Sequence, residues 1–275
     1  MRPSPRRLKG VREGRASVKR PTGDRHFVTA LARGLTVLAC FRANDTMLSN
    51  GEIAARCKLP KSTVSRLTYT LTETGYLDWV EDRAMYRLGA AALAIGTAML
   101  SRMNVRQLAR PLMQELADYS QSVVALGVRV NVGIIYVETC RSSATLTLAL
   151  DVGSRVPLAS TAIGRAYYAV CSEEERKVIT RELRRTEGSK WPHARAELES
   201  GIAEYQRLGC CSSFGHWQND VNGIAVGVRA GGGAPVMAIN CGGPAFKLPP
   251  DFLIEEVRPR LIDVVRQLET SMRQE

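Results

Sequence analysis

The sequence predicts an α+β fold in two parts: a three-helix unit closed by a β-hairpin, then a larger domain with a mostly antiparallel sheet. Before residue 88, helical periodicity and turn signals indicate three helices and two short strands. After residue 102, strands come first, then a run of helices, then a second pair of strands. This segregation of strands and helices is typical of α+β architecture. At 275 residues, the chain is long enough for two domains.

Composition places the chain among soluble globular proteins, with 45% hydrophobic and 24% charged residues. No run reaches the roughly 18 apolar residues of a spanning helix, since the nearest candidate, residues 90–99, is too short. The seven cysteines include no C-x-x-C pair, and the chain has only three histidines. We therefore expect a cytoplasmic protein with reduced thiols, no membrane partner, no metal and no cofactor.

The positive charge is concentrated at the N-terminal end. Of the formal net charge of +11, residues 1–25 carry +7, and they are rich in Pro, Gly and Arg but poor in apolar residues. Such a segment is expected to be a disordered basic tail that binds phosphates without sequence preference. A transit-like segment, or translation from an upstream start codon, would explain the same composition.

Apolar residues recur at helical spacing over residues 27–42 and predict an amphipathic first helix; they are Leu31, Leu35, Leu38 and Phe41. Ser49 and Glu52 form an S-x-x-E capping box that starts a second helix. That helix is expected to end near Lys58. A short turn then leads to Pro60, a residue well suited to the first position of a third helix.

The two faces of the third helix differ in chemistry. Val64, Leu67 and Leu71 are expected to face the core. The opposite face carries short polar groups around one arginine and one phenol: Lys61, Ser62, Ser65, Arg66 and Tyr69. A solvated surface helix normally carries Glu/Lys pairs instead. Hydroxyl and basic groups suit phosphates and base edges, so this face favours DNA contact over a plain surface helix.

The following residues strengthen the DNA-binding interpretation. Gly75 suits the end of the third helix, and residues 76–80 and 85–88 predict two strands around a tight turn. Three helices followed by a hairpin indicate a winged helix-turn-helix, in which the third helix enters the major groove. Arg83 at the wing tip and Arg87 are then expected to contact phosphates. With Thr63 added, the predicted DNA contacts are Lys61, Ser62, Thr63, Ser65, Arg66, Tyr69, Arg83 and Arg87.

The segments ARGLTVLACF, GEIAARCKLPKSTVSRLTYTLTETGYLDW and YRLGAAALAIG resemble the DNA-binding half of IclR-type bacterial transcriptional regulators. Thr68 and Tyr69 stand where a second leucine and a small residue are commoner in that family. By itself, the alanine-rich segment 89–101 predicts a buried helix between domains. The resemblance implies that this helix links the domains and contributes to a dimer interface.

The second domain is expected to begin with a helix over 104–121 and two strands paired around Asn131. Further strands are predicted at 144–150, 221–229 and 235–243; further helices at 161–170, 172–183, 194–208 and 251–272. The segments GSRVPLASTAIGRAYYA, GIAVGVR and VMAINCGGP resemble the GAF-like effector-binding domain of the same family. The predicted division is therefore a tail (1–25), a DNA-binding domain (26–88), a linker helix (89–101) and an effector-binding and oligomerisation domain (102–275).

A ligand site is expected where Ser160 or Thr161 caps a helix, because the first N–H groups of a helix favour an anion. An ordinary capped helix is the alternative. The resemblance implies a pocket between this helix start and the C-terminal strands. The capped helix contributes Ser160 and Thr161 to the predicted site, and the resemblance implies Ala162, Ile163, Ser213, Gly223, Asn240 and Gly242. Several are small or apolar where family members often have Ser or Cys, which implies a different or bulkier effector.

Together these observations predict a regulator of a catabolic operon that binds a pseudo-palindromic operator as a homodimer or dimer of dimers. Its effector is expected to be a small carboxylic acid. One alternative is a second domain that only oligomerises. The other is an enzyme with a Cys/His site formed by Cys210, Cys211 and His216. No P-loop, G-x-S-x-G, H-E-x-x-H or G-x-G-x-x-G motif is present, and Gly231–Gly233 is expected to form a hairpin turn.

Overall fold

The computed structural model describes residues 26–42, 45–100, 103–143, 150–229 and 235–274. The N-terminal unit comprises α1 (Thr29–Ala39), α2 (Asn50–Cys57), α3 (Lys61–Glu73), β1 (Leu77–Val80) and β2 (Met85–Leu88), followed by α4 (Ala90–Leu100). The predicted tail (1–25), nearly all of the predicted strand at 144–150, and the predicted turn at Gly231–Gly233 lie outside the described residues.

The larger unit begins with α5 (Asn104–Ser120), β3 (Val123–Val130), β4 (Gly133–Arg141) and β5 (Arg155–Pro157). Three helices follow: α6 (Ala162–Val170), α7 (Glu173–Glu187) and α8 (Trp191–Leu208). The chain then forms β6 (Cys211–Phe214), β7 (Val221–Val228) and β8 (Met237–Pro244). It closes with α9 (Pro250–Phe252), a π-helical turn (Leu253–Val257) and α10 (Arg258–Gln274).

Local sequence signals determine the winged helix-turn-helix. The predicted capping box starts α2: the Glu52 N–H donates to Ser49 Oγ at 3.3 Å, and the Ser49 N–H donates to Glu52 Oε2 at 2.8 Å. Lys58 ends α2 in the left-handed region at φ 54°, and Gly75 follows α3 at φ 73°. β1 and β2 pair antiparallel as the wing, with Val80 opposite Met85. These features confirm the predicted unit.

The orientation of α1 differs from the prediction. Leu31 and Leu35 are 62% and 56% exposed, whereas Val37 is fully buried against α3 and the rest of the small core. The apolar spacing is helical, but two apolar faces are present and packing selects only one of them. Within the described chain, α4 also buries none of its residues, so the prediction of a buried interdomain helix is wrong for a single chain.

In the described part of the larger unit, six antiparallel strands form one sheet in the order β5-β4-β3-β8-β7-β6. This confirms the mostly antiparallel sheet. The sequence prediction missed both edge strands, β5 and β6, which have only three and four residues. Strands this short show little periodicity, and their pairing with distant segments defines them.

Helices cover both faces of the sheet. α5 and α10 pack on one face through Met113, Leu126, Leu261, Val265 and Leu268. α6, α7 and α8 pack on the other through Ile134, Ile163, Ile179, Leu183 and Leu198. No helix in the described residues is long and apolar enough to cross a bilayer.

Because of a β-bulge in β4, Tyr136 and Glu138 have different surroundings although they are only two residues apart. Pairing with β3 shifts register between Leu126 and Gly127, which leaves Val137 as the extra residue. Tyr136 belongs to the apolar cluster on the α6 side. Glu138 is buried and accepts from Arg106 at 3.1 Å and Arg110 at 2.8 Å, both on α5. This ion-paired carboxylate attaches the start of α5 to the sheet.

Candidate DNA-binding surface and ligand cavity

The outward face of α3 is polar, exposed and poor in acids. Lys61, Ser62, Ser65 and Arg66 are exposed, and Tyr69 is 67% exposed. Thr63 is half-buried at the edge of this face. The first acidic residue along α3 is Glu73, in its last turn. The face therefore presents hydroxyl groups, a phenol and two cations to a partner.

Side-chain contacts set the positions of two α3 residues. The Ser65 hydroxyl donates to the Lys61 carbonyl at 3.0 Å and accepts from Asn50 Nδ2 at 2.5 Å. Asn50 thus connects the start of α2 to the exposed face of α3, a role that sequence reasoning missed. Thr68, which departs from the commoner leucine, is fully buried, and its hydroxyl donates to the Val64 carbonyl at 3.0 Å. It occupies a core position and belongs to the inner face of α3.

The two wing arginines differ in their surroundings. Arg83 lies in the 3₁₀ turn Glu81–Arg83, is exposed, and makes no ion pair with a described residue. Arg87 lies opposite Asp78 across the hairpin, and its Nε donates to Asp78 Oδ2 at 3.0 Å. Since this pair is solvent-exposed, it leaves Arg87 accessible but partly neutralised.

In the larger unit, one small, partly open cavity collects most of the predicted ligand residues. Seven of the eight line it: Thr161, Ala162, Ile163, Ser213, Gly223, Asn240 and Gly242. Ser160 lies outside the lining, and its carbonyl accepts from Ser213 Oγ at 3.4 Å. Ser213 itself is part of β6, one of the two edge strands that the sequence prediction missed. Six further lining residues were not predicted: Tyr136, Leu150, Val156, Trp217, Val221 and Asn222.

The start of α6 forms one wall of the cavity. Thr161 caps the helix: its hydroxyl accepts from the Gly164 N–H at 3.2 Å and donates to the Pro157 carbonyl at 2.6 Å. The hydroxyl is therefore already engaged by the protein. The first two amides, those of Ala162 and Ile163, have no acceptor within the helix, and both residues line the cavity. This wall can bind one compact anion through backbone N–H groups.

Three polar side chains converge on the cavity from distant parts of the chain. Asn240 hydrogen-bonds Tyr136, and burial raises the pKa of Tyr136 far above its ordinary value, so the phenol stays neutral. Asn240 Oδ1 and Trp217 Nε1 are both buried, and neither has a hydrogen-bond partner among the described residues. Tyr136 and Trp217 were missed because each comes from a segment distant from the helix cap that pointed to the site.

The residues of the alternative Cys/His site do not converge. Cys210 packs with the α5 and α10 side chains, and Cys211 packs on the opposite face of the sheet with those of α6. Burial raises the pKa of Cys210 to about 11 and that of Cys211 further still. His216 is exposed in the loop after β6. Two protonated thiols on opposite faces of a sheet form no nucleophile–base pair, so this alternative is wrong.

Comparison with known proteins gives consistent matches along most of the chain. The family described as the IclR helix-turn-helix domain matches residues 30–81. The family described as the bacterial transcriptional regulator IclR C-terminal domain matches residues 97–270. The HTH-type transcriptional regulator TsaQ1/TsaQ2 of Comamonas testosteroni is 31% identical over 249 residues, which cover 90% of this chain and 89% of that protein.

Two solved structures have the same fold. An IclR family transcriptional regulator from Brucella abortus has a TM-score of 0.81 and 40% identity, covering 93% of this chain and 96% of its own. An IclR homologue from Microbacterium hydrocarbonoxydans, solved in complex with 4-hydroxybenzoate, has a TM-score of 0.67 and 23% identity, covering 90% and 100%. The matched relatives are named as transcriptional regulators. The chain therefore belongs to the IclR family of bacterial transcriptional regulators.

Proposed function

We propose that the chain is a ligand-switched regulator that binds a pseudo-palindromic operator of a catabolic operon as a homo-oligomer. Residues 26–88 bind DNA, the linker helix 89–101 transmits the signal, and residues 102–275 bind the effector and oligomerise. One observation carries the proposal: an exposed, acid-poor α3 face in one domain accompanies a partly open cavity at a helix N-terminus in the other.

DNA recognition is assigned to α3 and the wing. With α3 in the major groove, Arg66 and Tyr69 reach base edges, while Lys61 and the serine hydroxyls contact phosphates. Arg83 at the wing tip, which has no ion pair among the described residues, contacts the DNA backbone as a cation. Asn50 supports the same surface, because its hydrogen bond restricts the Ser65 hydroxyl.

Assembly as a homo-oligomer explains the exposed apolar residues on α1 and α4. These faces contain Leu31, Leu35, Leu93, Ile95 and Met99, each more than half exposed. Isolated apolar side chains on a surface are ordinary, but several of them on each of two helices support an interface. A second copy of the chain is the proposed occupant, since a two-fold dimer would also present two α3 helices to a palindromic operator.

The effector is proposed to be a small carboxylic acid held at the start of α6. The Ala162 and Ile163 amides supply donors for the carboxylate, and the Microbacterium homologue provides a precedent with its bound 4-hydroxybenzoate. The signal would pass along β4, where cavity-lining Tyr136 is two residues from Glu138, the carboxylate that anchors α5. α5 begins just beyond the linker helix, so its position affects the spacing of the DNA-binding units.

Binding to the operator tests the assignment of α3. The operator sequence is first recovered by selecting, from random-sequence duplexes, those that the full chain binds. Arg66→Ala should weaken specific binding by roughly 1–3 kcal/mol if Arg66 reads a base, as measured by fluorescence anisotropy. Arg181→Ala, at an exposed arginine on α7, is the matched control and should bind normally. Normal operator binding by Arg66→Ala would refute this assignment of α3. Arg83→Ala should mainly reduce the salt dependence of binding.

The proposed response to an effector is tested by a separate measurement. A carboxylic acid that raises the melting temperature must bind the folded state more tightly than the unfolded state. Added to the protein–operator complex, the same acid should change operator affinity, because coupling between two sites is reciprocal. An acid that binds but leaves operator affinity unchanged would favour the alternative in which the second domain only oligomerises.

A further inference from the structure

Two cysteines of the DNA-binding unit have their thiols in contact, although they lie at the ends of different helices. Cys40 caps the end of α1, and Cys57 is the last residue of α2. Cys57 is part of the small core around Val37, Cys40 packs against that core, and the two thiol groups hydrogen-bond each other. The Cys57 thiol also donates to the Thr36 carbonyl at 3.6 Å, one helical turn before Cys40. The two sulfurs therefore meet where α1 ends against α2.

Arg56 brings positive charge to the same part of the unit. Its Nη1 donates to the Cys40 carbonyl at 3.0 Å, and its Nη2 donates to Asp45 Oδ1 at 3.0 Å. The hydrogen bond with the Cys40 thiol, followed by the Arg56 charge, lowers the pKa of Cys57 below its ordinary value. The same hydrogen bond raises the pKa of Cys40, so Cys57 is the thiol that ionises first. The thiolate is the form of cysteine that attacks oxidants.

Other cysteines have surroundings that suppress the thiolate. Burial raises the pKa of Cys140 to about 11, that of Cys171 to about 12 and that of Cys210 to about 11. The thiols of Cys140 and Cys171 donate to the main-chain carbonyls of Arg110 and Tyr167. Because a neighbouring thiol and a cation both favour ionisation, the pair in the DNA-binding unit is the more reactive site.

Cys57 lies in the turn that leads into α3. Only residues 58–60 separate it from Lys61, the first residue of that helix. A disulfide holds its sulfurs about 2.05 Å apart, well inside the separation of two hydrogen-bonded thiols. Because the core beside the pair is closely packed, with Ile53 and Val64 fully buried, the turn must take up the adjustment. The start of α3 then moves, and it carries Lys61 and Ser65 of the polar face.

From these contacts we infer that Cys40 and Cys57 are an oxidation site, at which a hydroperoxide forms an intramolecular disulfide that weakens operator binding. The Cys57 thiolate attacks the terminal peroxide oxygen and becomes a sulfenic acid, and the second oxygen leaves and takes up a proton as water or an alcohol. The Cys40 sulfur then attacks the sulfenic sulfur, the S–S bond forms, and the hydroxyl group leaves as water with the Cys40 proton. Two thiols lose two electrons in total, and one hydroperoxide gains them. Cys40 is half-buried, which leaves the pair open to a small oxidant.

Oxidation of the reduced full chain tests the inference. The chain is treated with hydrogen peroxide, the remaining thiols are alkylated, and linked peptides are identified by mass spectrometry without reduction. Operator affinity is measured on the same samples by fluorescence anisotropy. We expect a Cys40–Cys57 link and severalfold weaker operator binding, both reversed by dithiothreitol, which reduces disulfides by thiol exchange.

Serine variants assign the response to the pair. Cys40→Ser and Cys57→Ser each remove one sulfur at nearly constant volume, so either should abolish the link and the reversible loss of operator affinity. Cys171→Ser is the matched control, because Cys171 is a buried cysteine of the larger unit, and it should keep both. If a serine variant fails to fold, the peptide map and the reversal by dithiothreitol in the wild type still decide the inference.

The outcomes separate this inference from the proposed function, on which it rests for the role of α3 at the operator. Absence of the Cys40–Cys57 link after peroxide treatment would overturn the inference, and so would a mapped link that leaves operator affinity unchanged. In both cases the reduced chain would still bind its operator, and the proposed function would stand. Failure of the reduced chain to bind any selected duplex would instead refute the proposed role of α3, while the peptide map would still show whether the pair forms a disulfide.

Discussion

At the scale of single residues, Gly164 determines how closely α6 approaches the segment after β5. A Cβ placed there would lie 2.0 Å from the Leu158 carbonyl oxygen and 2.5 Å from its Cα. Both are backbone atoms, so no side-chain rotation can relieve the contact. The same close approach lets Thr161 cap the helix and donate to the Pro157 carbonyl. Gly164 therefore sets the position of Ala162 and Ile163, which line the cavity.

Gly164→Ala should lower the free energy of unfolding by about 1–3 kcal/mol, because the backbone must move to admit one methyl group. It should also weaken acid binding, since the Ala162 and Ile163 amides shift with the helix. Gly51→Ala is the control: in α2 the nearest heavy atom to the added Cβ is 3.9 Å away. Calorimetric melting should show an unchanged or raised midpoint for that variant. Equal midpoints for the two variants would contradict the close-approach argument.

At the scale of elements, capping boxes define where helices begin. α7 begins like α2: the Ser172 N–H donates to Glu175 Oε2 at 2.6 Å, and the Glu175 N–H donates to Ser172 Oγ at 3.2 Å. Arg229, after β7, also donates to Glu175 Oε2 at 3.0 Å. The Ser172 hydrogen bond, followed by the Arg229 charge, holds the pKa of Glu175 below its ordinary value of 4.5. Glu175 thus takes part both in the local capping box and in an ion pair with a residue that is distant in the sequence.

Glu175→Gln should lower the free energy of unfolding at pH 7 by at most about 1 kcal/mol, since the carboxylate is partly solvated. A carboxylate with a lowered folded-state pKa stabilises the fold above its unfolded pKa. That contribution is lost as pH falls through the folded value. The difference between variant and wild type should therefore shrink below about pH 4.5 in urea titrations. Glu174→Gln, at an exposed neighbour with no ion pair among the described residues, should show no such trend.

At the scale of the whole molecule, the single chain leaves apolar surface on α1, within the DNA-binding unit, and on α4, which follows that unit. Leu93 is 68% exposed and Ile95 is 61% exposed on α4, and Leu31 is 62% exposed on α1. The α4 sequence AAALAIGTAML contains no charged residue, which is unusual for a solvated helix. Burial against a second chain would remove the apolar surface of both helices from water.

Leu93→Glu should lower the oligomeric mass measured by size-exclusion chromatography with light scattering, because a charge would be buried at the interface. Operator affinity should also fall, because each monomer would then bind one half-site without a partner. Val178→Glu, at a 46%-exposed apolar residue on α7, is the matched control and should keep the mass of the wild type. An unchanged mass for Leu93→Glu would place the interface elsewhere.

Local signals determined much of this molecule. The Ser49–Glu52 box, Pro60 and Gly75 predicted α2, α3 and the wing, because caps and turns depend on a few consecutive residues. The capped start of α6 indicated a possible ligand site for the same reason. Helical spacing also predicted α1, but it could not choose between its two apolar faces.

Contacts between distant residues were decided only by the tertiary structure. The edge strands β5 and β6 exist because β4 and β7 offer hydrogen bonds, and three or four residues carry no periodicity of their own. Trp217 and Asn240 line the same cavity only after folding, because they come from segments that are separate in the sequence. The sequence alone thus determined that this is a DNA-binding regulator of the IclR family, and it predicted a ligand site at the capped start of a helix. The tertiary structure decided which side chains complete that site, because burial and unpaired hydrogen bonds arise only when the layers pack.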